Sequence, residues 1–236
     1  MEFEQKLTQG TLIKRYKRFL ADIRLDNDEI ITAHCANPGS MMGLKDEGNI
    51  VWVSPAQNPK AKLDYKWELV EVNGDLVGIN TAHPNRLVQE AITDGVITEL
   101  EGYHDLRREM TYGQNSRIDI FLSGSTLGDA DCYVEVKSVT LSRQKSIAEF
   151  PDSVTARGTK HLQELTQMVA DGHRAVMVYL VQRNDCTEFR VAADIDPAYA
   201  AALNTALYNG VEAVCYGCNL TNKEIIVKQR IPIRLF

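Results

Sequence analysis

Three residues near the middle of the chain, Asp119, Glu135 and Lys137, carry side chains that together could perform hydrolytic chemistry. They lie on two segments, 116–122 and 132–139, which are rich in β-branched and aromatic residues and are therefore predicted to be β-strands. The twofold alternation of a strand puts Glu135 and Lys137 on one face of the second segment. If the two strands are neighbours in one sheet, Asp119 meets Glu135, and two carboxylates and an ammonium group share a small space.

The chemistry of such a group is that of phosphodiester hydrolysis. Two close carboxylates repel each other unless a proton or a cation lies between them, and Mg²⁺ binds carboxylates together with water and phosphate oxygens. A lysine beside the cation orients the attacking water or stabilises negative charge on the phosphate. The alternative is a hairpin that carries these three charges on its solvent-exposed face, where cross-strand ion pairs contribute little.

The composition is that of an ordinary globular protein. Of the 236 residues, 44% are hydrophobic and 25% are charged, and this length suffices for a sizeable core in one domain or two. Because the chain has no long uncharged apolar segment and its first residues do not form a secretory signal, we expect a cytoplasmic protein without a membrane partner. Five cysteines argue against a disulfide framework, and Cys215 and Cys218 lack the second ligand pair of a zinc site.

One segment, 11–20, combines basic and aromatic residues, although the formal net charge of the chain is −6. Tyr16 and Phe19 lie among its cations, and it contains no acid. Basic groups for phosphates beside aromatic faces for bases are typical of grooves that guide a nucleic-acid strand. The alternative is a solvated strand face over an apolar core. The four cations are Lys14, Arg15, Lys17 and Arg18.

The pattern of the first 80 residues predicts an all-β unit, in which turn-forming residues separate five short strands. Such an arrangement suggests a small closed barrel, for which an OB-like barrel is one candidate. The polar loop 33–41 after the third strand could bind a ligand or only turn the chain. The predicted strands cover residues 11–16, 19–25, 30–34, 50–54 and 65–72.

Beyond residue 80 the pattern changes to helices that alternate with strands, which predicts a mixed α/β sheet covered on both faces. Asn85 is predicted to cap a helix over 86–100. Glu90 on this helix could supply a third acidic ligand to a cation on the sheet. A later helix is predicted to begin with Asp196 as its cap and Pro197 at its first position.

Three cationic candidates, Arg157, Lys160 and His161, lie in the first turns of a helix predicted over 155–170. The helix macrodipole opposes cations at this end. Their cluster therefore invites an anionic partner such as a backbone phosphate, which the helix end itself also favours. The alternative is a set of solvent-exposed side chains without a ligand.

Six motifs resemble those of one bacterial protein family, and they extend over nearly the whole chain, from about residue 10 to residue 226. Through these motifs the chain is similar to the sugar fermentation stimulation protein (SfsA) family. One departure lies in the loop after His34, where Ala36 and Pro38 stand in place of an expected Pro and Thr. The motifs are residues 12–22, 33–35, 39–41, 115–119, 133–141 and 150–155.

The resemblance implies a fold of two domains. Residues 1–80 would form an OB-like β-barrel that binds nucleic acid, and residues 81–236 a mixed-sheet α/β domain like the PD-(D/E)xK nucleases. A Pro-Asp pair is absent from the nuclease-like motif, because Ile118 precedes Asp119, but this position varies widely among such domains.

The same resemblance implies an active site. The motif's aspartate matches Asp119, its second acidic residue matches Glu135 and its lysine matches Lys137, while Glu90 matches the acidic residue of the preceding helix. The three carboxylates would hold Mg²⁺ or Mn²⁺, with the backbone carbonyl of Val136 as a further ligand.

Two functions are compatible with these observations. The first is a divalent-metal-dependent nuclease that hydrolyses phosphodiester bonds of DNA or RNA. The second, implied by the family's association with DNA binding, sugar fermentation and maltose metabolism, is a non-catalytic DNA-binding transcriptional regulator of sugar utilisation. The nuclease is favoured because all three residues that its chemistry needs are present, namely Asp119, Glu135 and Lys137. No helix-turn-helix pattern supports the regulator. An interaction scaffold explains the acidic face only as coincidence. The sequence predicts neither the strandedness of the nucleic acid nor the oligomeric state.

Overall fold

The protein consists of a β-barrel followed by a sheet covered by helices in the computed structural model. The model describes residues 1–58, 60–113, 116–126, 128 and 130–234. Asn115 of the fourth motif therefore lies outside the described residues. No described helix has both the length and the apolar character that crossing a bilayer requires.

The first unit is a barrel of five strands. They are β1 (Thr8–Tyr16), β2 (Leu20–Leu25), β3 (Ile30–His34), β4 (Ile50–Pro55) and β5 (Tyr65–Val72). The strand order is β3-β2-β1-β4-β5, and a parallel pairing of β3 with β5 closes the barrel. Buried and exposed positions alternate along β2 and β3, and Trp67 is fully buried in the barrel core. The prediction of a closed five-stranded barrel is confirmed, and β6 (Asp75–Gly78) adds to its edge at β5.

The second unit alternates helices and strands. Its helices are α1 (Pro84–Thr93), α2 (Ala156–Ala170) and α3 (Pro197–Tyr208), with a short 3₁₀ turn at Thr98–Leu100. Its longer strands are β7 (Tyr103–Tyr112), β8 (Ser116–Ser125), β9 (Cys132–Val139), β12 (Arg174–Val181), β14 (Glu212–Leu220) and β15 (Ile225–Arg230). Its short strands are β10 (Leu141–Gln144), β11 (Ile147–Phe150), β13 (Glu188–Val191) and β16 (Ile233–Arg234).

The main sheet is mixed. Its order is β15-β14-β12-β9-β8-β7, with β12 parallel to both β9 and β14 and the outer pairs antiparallel. A smaller sheet, β10-β11-β13-β16, was not predicted as such, since β10 and β11 are too short for alternation to distinguish them from a loop. The predicted mixed α/β sheet is confirmed.

Two apolar cores hold helices against the faces of this sheet. On one face, Leu87 and Val88 of α1 pack with Val134 and Val136 of β9. On the other face, α2 and α3 pack on a second cluster that includes Leu162. Truncation of a fully buried leucine such as Leu162 to alanine costs about 2–5 kcal/mol. Because Val134 and Val136 face α1, alternation turns Glu135 and Lys137 toward α2, as the sequence predicts.

The start of α1 differs from the prediction. The helix begins at Pro84 with His83 at its N-cap, and Asn85 lies inside it and is not its cap. Gly95, at φ +68°, lies just after its end. The prediction that this helix continues to residue 100 was wrong. Ile97 and Leu100 are buried, so the apolar pattern continues although the backbone there forms a turn and a 3₁₀ segment. The cap predicted for α3 is confirmed, since Asp196 accepts a hydrogen bond from the Tyr199 N–H at 3.0 Å.

The barrel and the second unit meet at two of the motifs. Ser40 donates a hydrogen bond to the backbone carbonyl of Asp152 at 2.9 Å, and the Met41 N–H donates to the Asp152 carboxylate at 3.2 Å. Within the barrel, Arg15 donates to the carbonyls of Asn37 and Gly39 at 2.8 and 3.2 Å. The loop after β3 is thereby fixed against the segment that leads into α2.

Candidate active site

Asp119 lies where the strands β8 and β9 separate. The ladder between the two strands begins at the pair Ile120–Val134. One residue earlier, Asp119 Oδ2 accepts a hydrogen bond from the N–H of Val136 at 2.8 Å. The carboxylate thus accepts a hydrogen bond from a backbone N–H that would have paired with β8 if the ladder had continued. Its negative charge therefore lies between the two strands.

Both carboxylate oxygens of Asp119 have partners, because Oδ1 accepts a hydrogen bond from the Asn85 amide at 2.8 Å. Burial, and after it the negative charge of Glu135, raise the pKa of Asp119 to about 6. The hydrogen bonds from Val136 and Asn85 act in the opposite direction. Asp119 is therefore ionised at neutral pH, but at a cost that a bound cation would offset.

Glu135 is almost fully buried, with 3% of its side chain exposed. Its Oε1 accepts a hydrogen bond from Lys137 Nζ at 2.6 Å and is also hydrogen-bonded to His161 Nδ1. Burial raises the pKa of Glu135, but the His161 hydrogen bond and the Lys137 charge together outweigh burial, so the pKa is lowered. Its Oε2 is buried and has no hydrogen-bond partner among the described residues.

The donor set suits a hard divalent cation. It offers two ionised carboxylates. One of their oxygens, Glu135 Oε2, is a buried acceptor without a partner in the part of the chain that the structure describes, which is costly unless a ligand satisfies it. Mg²⁺ commonly takes one or two carboxylates and completes its shell with water and phosphate oxygens. No three His, Cys, Asp or Glu side chains stand close enough to hold a metal ion by themselves in the described chain.

The structure does not bring Glu90 to these two carboxylates. Its side chain forms ion pairs with the Met1 amino group and with Arg86, each at 2.8 Å. The face of α1 toward the site carries Asn85 instead, which contacts Asp119. The role of Glu90 as a metal ligand stays a prediction, and it requires the carboxylate to leave both of these partners.

The three cationic candidates of α2 have different surroundings. His161 is buried against Glu135, so it contacts a carboxylate and does not face solvent as a phosphate-binding residue would. Arg157 is exposed, and its Nε donates a hydrogen bond to His161 Nε2 at 3.2 Å. Lys160 is paired with Glu164 at 3.5 Å. The sequence pattern indicated a cationic cluster but gave no signal that His161 belongs to the carboxylate site.

The four basic candidates of the barrel lie on β1 and in the turn between β1 and β2. Lys14, 63% exposed, is paired with Asp22 at 3.5 Å. Lys17 and Arg18 are exposed in the turn itself, with φ of +46° and +66°. Arg15 has a structural task, since it ties the loop after β3. Their role in binding nucleic acid stays a prediction.

Comparisons with known proteins extend over both units. The model of the SfsA N-terminal OB domain matches residues 13–79, and that of the sugar fermentation stimulation protein RE domain matches residues 82–224. The chain belongs to the sugar fermentation stimulation protein family. The SfsA resemblance is thereby confirmed, as is an OB domain followed by a mixed α/β domain. The division of the chain at residue 80 stays a prediction of the boundary.

Individual SfsA proteins match over nearly the full length. A sugar fermentation stimulation protein homolog of Rhodospirillum centenum is 59% identical over 221 residues, 94% of each chain. That of Roseobacter denitrificans is 56% identical over 237 residues and covers both chains fully. The structure of Pyrococcus furiosus SfsA in complex with Ca²⁺ has 28% identity and a TM-score of 0.88, covering 99% of this chain and 98% of that one.

Proposed function

We propose that this SfsA protein is a divalent-metal-dependent nuclease that hydrolyses phosphodiester bonds of DNA or RNA. The observation that carries the proposal is the convergence of Asp119, Glu135 and Lys137 at the point where two strands separate, where one buried carboxylate oxygen has no partner among the described residues. Two carboxylates and a lysine at such a point are the donors that hydrolysis of a phosphodiester needs.

The cofactor in this proposal is Mg²⁺ or Mn²⁺. The structure of the Pyrococcus furiosus relative is that of a complex with Ca²⁺, an ion that also prefers oxygen ligands. Here Asp119, Glu135 and the Val136 carbonyl would hold the cation, with Glu90 as a further predicted ligand. When bound, the cation lowers the pKa of a water molecule and polarises the phosphate.

The chain's own residues perform the remaining tasks. Lys137, whose Nζ is 2.6 Å from Glu135 Oε1, places a positive charge beside the carboxylate, where it stabilises negative charge that grows on the phosphate. The Asn85 amide and the Val136 N–H hold Asp119 in one orientation. Both carboxylates are thereby oriented before a substrate arrives.

The substrate in this proposal is bound partly by the barrel. OB barrels bind strands of nucleic acid through basic groups and aromatic faces, and Lys14, Lys17 and Arg18 present cations on its surface. Binding to DNA would also connect the protein with the control of sugar fermentation, and a cytoplasmic location fits such a substrate.

A direct test is cleavage of labelled single-stranded DNA, double-stranded DNA and RNA. The wild type is compared with Asp119→Ala, each in Mg²⁺, in Mn²⁺ and in EDTA. We expect cleavage that depends on the cation and that the substitution abolishes. Glu90→Gln in the same series tests the third predicted ligand, since loss of a ligand weakens the response to the cation.

A second candidate, a non-catalytic DNA-binding regulator, is favoured by one observation. Glu135 Oε1 already has two donors from within the protein, Lys137 and His161, so its charge is largely compensated without a cation. Binding of DNA that is equal in the wild type, in Asp119→Ala and in EDTA, without cleavage, would support this candidate and contradict the nuclease.

A further inference from the structure

A chain of hydrogen bonds connects the protein surface with the buried carboxylate of the site. Arg157 Nε donates to His161 Nε2 at 3.2 Å, and His161 Nδ1 is bonded to Glu135 Oε1. His161, the middle residue of this series of hydrogen bonds, is buried, with 6% of its side chain exposed. The Arg157 side chain, one helical turn earlier on α2, is exposed.

The direction of these bonds follows from chemistry. A guanidinium only donates hydrogen bonds, so His161 Nε2 must be an acceptor and the ring proton must lie on Nδ1. The Nδ1–H therefore donates to Glu135. Lys137 Nζ is 3.3 Å from the same nitrogen, but both are donors, so its hydrogen bond goes to Glu135 Oε1.

His161 and Lys137 together fix the Glu135 side chain. Both donate to Oε1, so this oxygen is occupied, and Oε2 is left as the acceptor without a partner among the described residues. Donors behind a metal-binding group set its orientation and typically change metal affinity or activity by about 10- to 100-fold when they are removed.

Of the residues joined by these hydrogen bonds, Arg157 is the one whose outer end a substrate can reach. The Nε is bonded to His161, and within the described residues the guanidinium has no carboxylate partner. Its two terminal nitrogens therefore remain available, in the fork geometry that matches two oxygens of a phosphate. The group is cationic, exposed and two hydrogen bonds from Glu135.

We infer that Arg157 binds a phosphate of the nucleic-acid backbone with its terminal nitrogens while its Nε holds His161, and that His161 is a positioning residue for Glu135. This inference rests on the proposed nuclease function. It reassigns His161 from a phosphate-binding candidate to the carboxylate site and gives the two residues different tasks. Arg157 contributes to the affinity for the nucleic acid, whereas His161 contributes to the affinity for the cation.

The first test measures binding of a short single-stranded DNA in EDTA, as a function of salt. Removal of one contact between a cation and a phosphate lowers the slope of log K against log salt by about 0.7 for single-stranded DNA. We expect this loss in Arg157→Ala. We expect no such loss in His161→Asn or in Arg190→Ala, an equal charge change outside the site. An unchanged slope in Arg157→Ala would overturn the phosphate contact.

The second test measures Mn²⁺ affinity by calorimetry, without substrate. In His161→Asn an amide N–H replaces Nδ1–H, and we expect affinity close to wild type. In His161→Ala we expect about 10- to 100-fold weaker binding. Thermal unfolding of each variant verifies that it is folded. If His161→Ala binds Mn²⁺ like the wild type, the positioning role is wrong; if the wild type itself binds no Mn²⁺, the proposed function fails instead.

Discussion

The raised pKa of Asp119 predicts a specific dependence of stability on pH in the metal-free protein. The pKa is about 6 in the folded state against a usual value of 3.8, because the carboxyl is buried and lies near the charge of Glu135. The perturbation is Asp119→Asn, which removes the charge. An asparagine keeps an oxygen for the Val136 N–H, and the Asn85 amide can turn to meet the new NH₂ group.

The sign follows from proton linkage. Between its unfolded and folded pKa values, Asp119 holds a proton in the folded state and not in the unfolded chain. Wild-type stability therefore falls, relative to Asp119→Asn, as the pH rises through this interval. The step from 3.8 to about 6 corresponds to about 3 kcal/mol, at about 1.4 kcal/mol for each tenfold change. Below the interval, this destabilisation is absent.

The assay is urea unfolding of both proteins in EDTA at several pH values. Groups that do not interact with Asp119 titrate alike in both proteins and cancel in the difference. We expect the stability of Asp119→Asn minus that of the wild type to grow by about 2–3 kcal/mol between about pH 4 and about pH 7. In a Glu135→Gln background the growth should be smaller. A difference that does not change with pH would refute the account of this carboxylate.

Three further predictions concern the site and the domain junction. Lys137→Ala should spare nucleic-acid affinity but lower turnover by about 10²-fold, as loss of one charge-stabilising donor typically does; parallel binding and cleavage assays measure both. Mn²⁺ at about 100 times its dissociation constant should stabilise the wild type by about 2.7 kcal/mol, an increase in melting temperature that EDTA reverses and Asp119→Ala lacks. Asp152→Ala leaves the Met41 N–H without its acceptor and should cost about 1–3 kcal/mol. Neighbouring Ser153→Ala removes only an exposed hydrogen bond to the other oxygen of the Asp152 carboxylate and leaves the acceptor of Met41 in place, so it should shift urea unfolding by less than about 0.5 kcal/mol.

The parts of the fold that local pattern controls were predictable. Alternation placed Glu135 and Lys137 on one face of β9, and turn residues delimited the five strands of the barrel. The cap of α3 at Asp196 followed from the side-chain oxygen that satisfies the first backbone N–H groups.

The parts that depend on tertiary contact were not predictable from pattern. Asn85 was predicted to cap α1, because its type suits a cap, yet its amide is used on Asp119, 34 residues away. His161 was grouped with the exposed cations of α2, because spacing alone does not show which side of a helix meets the sheet. Ser40 and Asp152 are 112 residues apart, so no local pattern indicates their contact, and both segments were identified only as motifs of the family.

The proposed nuclease requires that Asp119 and Glu135 hold a divalent cation. Anomalous diffraction at the manganese edge, from crystals grown with Mn²⁺, would locate this cation. We expect an anomalous peak within bonding distance of Glu135 Oε2 and of Asp119, and no such peak in Asp119→Ala crystals. Mn²⁺ bound only elsewhere, or no peak at these carboxylates in the wild type, would contradict this proposal.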